Sequence, residues 1–155
     1  MDLNAIELKI PPPVVALVAG VLMWCAASWS GMGGFFIPAR PVLAGGLALT
    51  GLFLSASGVF SFLRAGTTIH PHKPQESSTL VVKGVYGWTR NPMYLGLLLV
   101  LCGWAVFLAN VTAFVFLPLF VLYIYRFQIL PEERILAQKF GGPYADYMTR
   151  VRRWI

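Results

Sequence analysis

Apolar positions in this chain come in long uninterrupted blocks, not in the short periods of a soluble domain. Four stretches stand out, at about 14–30, 41–63, 93–109 and 111–127. Each approaches or exceeds the length that an α-helix needs to cross a bilayer. The last two nearly merge, and a single helix over 93–127 would run about 52 Å at 1.5 Å per residue. That overshoots a hydrocarbon core of roughly 30 Å, so the spacing predicts a helical hairpin turning near Asn110. Pro11-Pro12-Pro13 suits the start of the first helix. In the second, Gly45, Gly46, Gly51, Ser55 and Gly58 predict close approach of another helix. Pro118 predicts a kink in the fourth, with a freed carbonyl for a neighbour to satisfy.

Two polar segments interrupt this pattern. The loop over 64–92 is too long for a simple connector. It opens with Gly66-Thr67-Thr68 and His70-Pro71-His72-Lys73-Pro74, then tightens into an extended piece, Thr79-Leu80-Val81-Val82, before a turn at Gly84. In the tail over 128–155, Pro131-Glu132-Glu133 reads as a helix start, with acids at the positive dipole end. That helix should stop at Gly141-Gly142-Pro143, and a short one should follow from Tyr144 to about Arg153, with Trp154 suited to the interface.

Composition supports one membrane domain over 1–155. Hydrophobic residues make up 57% and charged residues 12%, against about 25% charged in a soluble domain. Asp2 and Glu7 ahead of three prolines argue against a cleaved signal peptide. Eleven of the twelve basic residues fall in Lys9, the 64–92 loop and the segment from Arg126 onward; only Arg40 falls on the opposite face. Four spans with both termini cytoplasmic, as in a bacterial inner membrane protein, fit that bias. The net charge of +6 is placed beside spans, where anionic headgroups are the partner and nucleic acid is not. Cys25 and Cys102 lie inside apolar runs and make neither a disulfide framework nor a zinc site. His70 and His72 lack further ligands at metal spacing. A P-loop, a nucleophile triad and a GxGxxG turn are all missing.

Chemistry concentrates at the boundary Gly84-Val85-Tyr86-Gly87-Trp88-Thr89-Arg90-Asn91-Pro92-Met93-Tyr94-Leu95-Gly96 and again at Arg126, Glu132 and Glu133. Arg90 reads either as a snorkelling cation or as a planar fork for a carboxylate or phosphate. Asn91 reads as a helix cap. Tyr86, Trp88 and Tyr94 read as an interfacial belt or as pocket walls for an adenine ring or a cation. Arg126 near an apolar run reads as an Arg–Glu pair at the bundle mouth or as the holder of an acidic substrate group.

Together these residues resemble the isoprenylcysteine carboxyl methyltransferase family and the related phospholipid methyltransferases. Five elements in order carry the resemblance: Gly84-Val85-Tyr86, Arg90-Asn91-Pro92-Met93-Tyr94-Leu95-Gly96, Glu132-Glu133-Arg134-Ile135-Leu136, Phe140-Gly141 and Tyr144-Ala145-Asp146-Tyr147. The resemblance implies an all-α integral membrane methyltransferase with a cytosolic site for S-adenosylmethionine. Carried over, Val82, Lys83, Gly84, Tyr86, Arg90, Asn91, Tyr94, Leu95, Glu133 and Tyr144 would line that site. Arg126, Glu132 and Glu133 would act on a lipophilic or lipidated acceptor, with carboxyl O-methylation the favoured reaction. Asn91 stands where many members have His, so this position can donate a hydrogen bond but cannot titrate near neutral pH. Two rivals predict other ligands. A sterol-reductase-like enzyme would use NADPH, with Arg90 or Lys83 on its phosphates; a non-catalytic protein would bind only lipid or a partner.

Overall fold

The computed structural model describes residues 7–31, 33–66 and 79–155. These form helices joined by short links, with an extended tether but no strand among them. The first three helices are α1 (Pro12–Trp29), α2 (Arg40–Arg64) and, after a 3-10 turn at Gly84–Gly87, α3 (Pro92–Leu108). Then come α4 (Val111–Phe114), α5 (Phe116–Ile124), a π turn at Tyr125–Ile129, α6 (Leu130–Phe140) and α7 (Gly142–Arg150). Residues from Val111 to Phe140 make one 30-residue helical run. That run, α1 and α2 are long and apolar enough to cross a membrane, while α3 is a shorter apolar helix of 17 residues. Val42 and Phe53 remain 74% and 75% exposed. Apolar surface on that scale requires lipid around it.

Small residues set the tightest contact, between α2 and α3. Ala44, Gly51 and Gly58 recur every seven positions on α2, and Gly96 and Gly103 do so on α3. A Cβ on Gly96 would overlap Ser55 Oγ and the Gly51 carbonyl, and one on Gly103 would lie 2.7 Å from the Ala44 carbonyl. The close backbones let Ser55 Oγ donate to the Met93 carbonyl at 3.1 Å. Gly51, Ser55 and Gly58 thus do what the sequence predicts, whereas Gly45 and Gly46 face open space.

The link after α3 is two residues long. Ala109 adopts left-handed dihedrals, and Asn110 caps α4 by accepting from Thr112 N–H at 3.0 Å. The Asn110 amide also donates to Ser30 Oγ, tying the end of α1 to this link. The hydrogen-bond ladder breaks at Val115, one residue after Phe114, whose carbonyl Pro118 cannot serve. Val115 itself keeps helical dihedrals across the interruption.

Pro131 does not start a separate helix as its sequence context predicts. It lacks the N–H that the Phe127 carbonyl would receive. Leu8 N–H fills that role at 3.0 Å, and Leu130 N–H bonds to the Tyr125 carbonyl across the π turn. The strap before α1 is fixed there twice more. Gln128 Nε2 donates to the Ile10 carbonyl at 2.8 Å, and Glu7 pairs with Arg126 and Arg134. In the remaining tail α6 stops at Phe140 and Gly141 turns with φ +54°, as expected, but α7 runs from Gly142 only to Arg150, and an extended Val151 ends it short of the expected Arg153.

Replacing Gly96 by Ala should lower the melting temperature in detergent, reflecting overpacking of about 1–3 kcal/mol. Gly46→Ala, with nothing near its new methyl, should be neutral or stabilising by up to ~1 kcal/mol. Equal melting of the two variants would contradict the close crossing.

Candidate functional site

The Gly84 turn and the C-terminal segment are stitched together side by side. Gly84 has φ +66°, a conformation glycine adopts without strain, and it starts the 3-10 turn that buries Tyr86. Tyr86 packs edge-on against Phe62 with centroids 5.3 Å apart, and its carbonyl accepts from Tyr147 Oη at 2.7 Å. Arg90 N–H bonds to the Arg152 carbonyl at 3.0 Å. Thr89 Oγ1 and Asn91 Nδ2 both donate to the Arg153 carbonyl, at 3.3 and 2.8 Å. Asn91 therefore precedes α3 without capping it by its side chain. Pro92, the first residue of α3, has no N–H to satisfy, and the Asn91 amide is drawn to the tail instead.

This stitching brings two guanidiniums to one carboxylate. Arg153 grips Glu133 in two-pronged fashion, Nε to Oε1 at 2.9 Å and Nη2 to Oε2 at 2.7 Å. Arg90 Nη1 lies 3.2 Å from the same Oε1. The Arg90 and Glu133 side chains are only 11% and 15% exposed, so these charges interact more strongly than surface pairs do. The alignment at Arg90 is poor: its Nε and Nη1 are buried with no hydrogen-bond partner among the described residues. Two cations against one anion also leave a surplus positive charge in a partly dehydrated setting. A buried donor without an acceptor is costly and is relieved by an anionic ligand.

The acids diverge because successive helix residues point about 100° apart. Glu132 turns from Glu133 towards α3 and accepts a hydrogen bond from Tyr94. Tyr144 lies beside the Arg cluster. Burial pushes its hydroxyl up to about 12, helped by Glu133 and opposed by the charge and hydrogen bond of Arg90. Burial likewise raises Tyr86 and Tyr147. All three phenols stay neutral near pH 7, leaving them as hydrogen-bonding groups and aromatic surfaces rather than bases. The Glu133 hydrogen bond raises Arg153 further, and its guanidinium stacks 5.1 Å above the Tyr125 ring in the π turn.

Of the residues singled out in the sequence, Gly84, Tyr86, Arg90, Asn91, Glu133 and Tyr144 gather at this cluster, with Tyr94 and Glu132 joined beside it. Val82 packs with Tyr144 and Tyr147. Lys83 is exposed and Leu95 half-buried, neither with a described polar role here. Among the described residues Arg126 pairs not with Glu132 or Glu133 but with Glu7, whose carboxyl the Arg126 hydrogen bond holds below the usual carboxylate range. His70 and His72 lie outside the described residues. Sequence reasoning missed Arg153, which entered only as one of many positive charges. It also missed Glu7 and Thr89, whose partners are far away along the chain.

The phospholipid methyltransferase family model matches residues 39–142, more than half of the chain. An uncharacterized Haemophilus influenzae protein is 46% identical over 63 residues, 41% of this chain and 100% of its own length. The mouse protein-S-isoprenylcysteine O-methyltransferase is 34% identical over 112 residues, 68% of this chain and 40% of its own. An Arabidopsis thaliana protein-S-isoprenylcysteine O-methyltransferase, form B, is 30% identical over 105 residues, 68% of this chain and 53% of its own. The chain thus spans about half or less of the named enzymes it matches. With a helical membrane body and a matched segment running from α2 to the start of α7, the chain belongs to the phospholipid methyltransferase family, a family of integral membrane methyltransferases.

Proposed function

We propose that the protein uses S-adenosylmethionine to methylate a lipophilic or lipidated acceptor at the membrane surface, at a carboxylate oxygen. The observation that carries this reading is Arg90, whose buried Nε and Nη1 have no hydrogen-bond partner among the described residues and sit beside Glu133 amid Tyr86, Tyr144 and Tyr147. Such a donor set fits the carboxylate of an amino-acid ligand, and the tyrosine faces and Glu133 fit a sulfonium. The relatives named O-methyltransferases favour oxygen as the acceptor atom. In the corresponding topology α1, α2, α3 and the run from Val111 are four spans. Ala109–Asn110 is the tip of a hairpin and both termini face the cytoplasm of a bacterial cell.

The bound cofactor would supply an activated methyl group for in-line displacement. The protein's part is then positioning and exclusion of water. Arg90 binds the ligand carboxylate, while Glu133 orients Arg90 and balances its charge. Asn91 holds the Arg153 end of the tail against the loop, so the site closes over its ligand. Glu132 is fixed by Tyr94 beside the cluster, and a carboxylate acceptor needs no base from it. Arg126 is our candidate for the acceptor's acidic group, and Glu7 exemplifies the carboxylate its guanidinium holds.

S-adenosylhomocysteine should raise the melting temperature of the purified protein, because a ligand for the folded state stabilises it. Arg90→Ala should weaken that binding roughly ten- to a hundredfold, matching roughly 1.5–3 kcal/mol for a hydrogen bond to a charged group. Glu133→Gln should weaken it with helicity intact, and Asn91→Ala less than Arg90→Ala. Unchanged affinity in the Arg90 and Glu133 variants, or stabilisation by NADPH alone, would overturn the assignment.

With tritiated cofactor and extracted native lipids, the label should enter base-labile methyl esters. Base-stable label would instead identify an amine acceptor and overturn carboxyl methylation.

A further inference from the structure

α1 and α2 both pack on α3 and barely touch each other. The gap between them is a cavity of about 830 Å³, within the usual range for ligand pockets. Trp24 of α1, Ala44 and Gly45 of α2, and Leu97, Trp104 and Phe107 of α3 line it, and none of its lining residues is charged. Its floor is preformed. Trp104 and Phe107 stack with centroids 5.5 Å apart, and the indole N–H is occupied by the Gly20 carbonyl at 3.0 Å. The indole therefore offers the groove only carbon surface. Gly45, which packs against no helix, has nothing within 4 Å of where its Cβ would be.

A cation stands at one end of this apolar groove. The exposed Arg40 opens α2, and its guanidinium lies 5.7 Å from the centroid of the Phe107 ring that also lines the groove. We infer that the groove binds an anionic phospholipid, with one acyl chain against Trp104 and Phe107 and the phosphate on Arg40. The combination selects this occupant. A purely apolar partner would leave Arg40 unused, and a soluble anion would leave the groove bare. Thirteen residues of α3 separate Phe107 from Tyr94, about 20 Å along the helix. The phosphate end of the lipid site is therefore remote from the Arg90–Glu133 cluster, while the groove's other end reaches Leu97, one turn from Tyr94. The Arg40 headgroup contact stands whether or not that cluster binds a methyl donor.

Native mass spectrometry of detergent-purified protein, titrated with phosphatidylglycerol or phosphatidylcholine of identical chains, tests the assignment. Wild type should hold phosphatidylglycerol about five-fold more tightly, the effect of one cation near a phosphate at a membrane surface. Arg40→Gln should bring phosphatidylglycerol down to the phosphatidylcholine level. Gly45→Leu should loosen both lipids, with circular dichroism confirming retained helicity; should that variant misfold, Arg40→Gln decides alone. Equal affinity of wild type for the two lipids would overturn the proposal. So would a preference that survives Arg40→Gln, which would assign the headgroup to the basic residues at the other end, or a lipid-free dimer closed over the groove.

Discussion

The carboxylate of Glu133 is the junction on which the polar end of this molecule depends. It lies on α6, is gripped from the C-terminal segment by Arg153 and approached from the start of α3 by Arg90. Removing one partner of a buried pair leaves an uncompensated charge, which costs more than the pair contributes. Loop, helix and tail are therefore constrained together. The arrangement is also unbalanced, since one carboxylate cannot neutralise two guanidiniums, and Nε and Nη1 of Arg90 have no hydrogen-bond partner among the described residues. Tight anchoring of the three segments and an appetite for an anion follow from the same charge arithmetic.

The membrane body rests on a different constraint. In lipid, apolar attraction between helices is weak, so association relies on close packing and interhelical hydrogen bonds. The α2–α3 crossing supplies both through Gly51, Gly96 and Ser55. Other helices are joined by polar stitches, Trp104 to Gly20 in the middle of α1 and Asn110 to Ser30 at its end. These fix α3 against both neighbours and hold Tyr94 beneath Glu132.

Much of this was legible in the sequence because it is local. Apolar blocks give helices, Gly141 gives a stop, and Gly84 gives a turn. The candidate residues on the Gly84–Gly96 segment and at the Glu pair could be singled out because they are crowded in sequence. What was not legible depends on contacts between distant residues. Arg126 finds Glu7, 119 positions away, instead of the acids one turn or two beyond it. Asn91 looks like a cap until the Arg153 carbonyl, 62 positions away, takes its amide. Pro131 looks like a helix start because its missing N–H breaks a ladder. It becomes a helix interior because Leu8, from the other end of the chain, donates to the carbonyl left over.

The π turn at Tyr125–Ile129 works as an angular offset in a long shaft. One extra residue in a helix rotates everything beyond it by about 100° relative to an unbroken α-helix. Upstream, Phe120 and Ile124 face the core; the turn itself buries Gln128 and Ile129, and past it the buried position is Pro131. The direction in which Glu132 and Glu133 leave the helix is thus set by how many residues lie between Ile124 and Leu130, more than by which residues they are. Over this stretch the count of residues is itself structural information. Adding or deleting a single one would change the length of the helix by only about 1.5 Å yet turn both acids by about 100°, away from their partners.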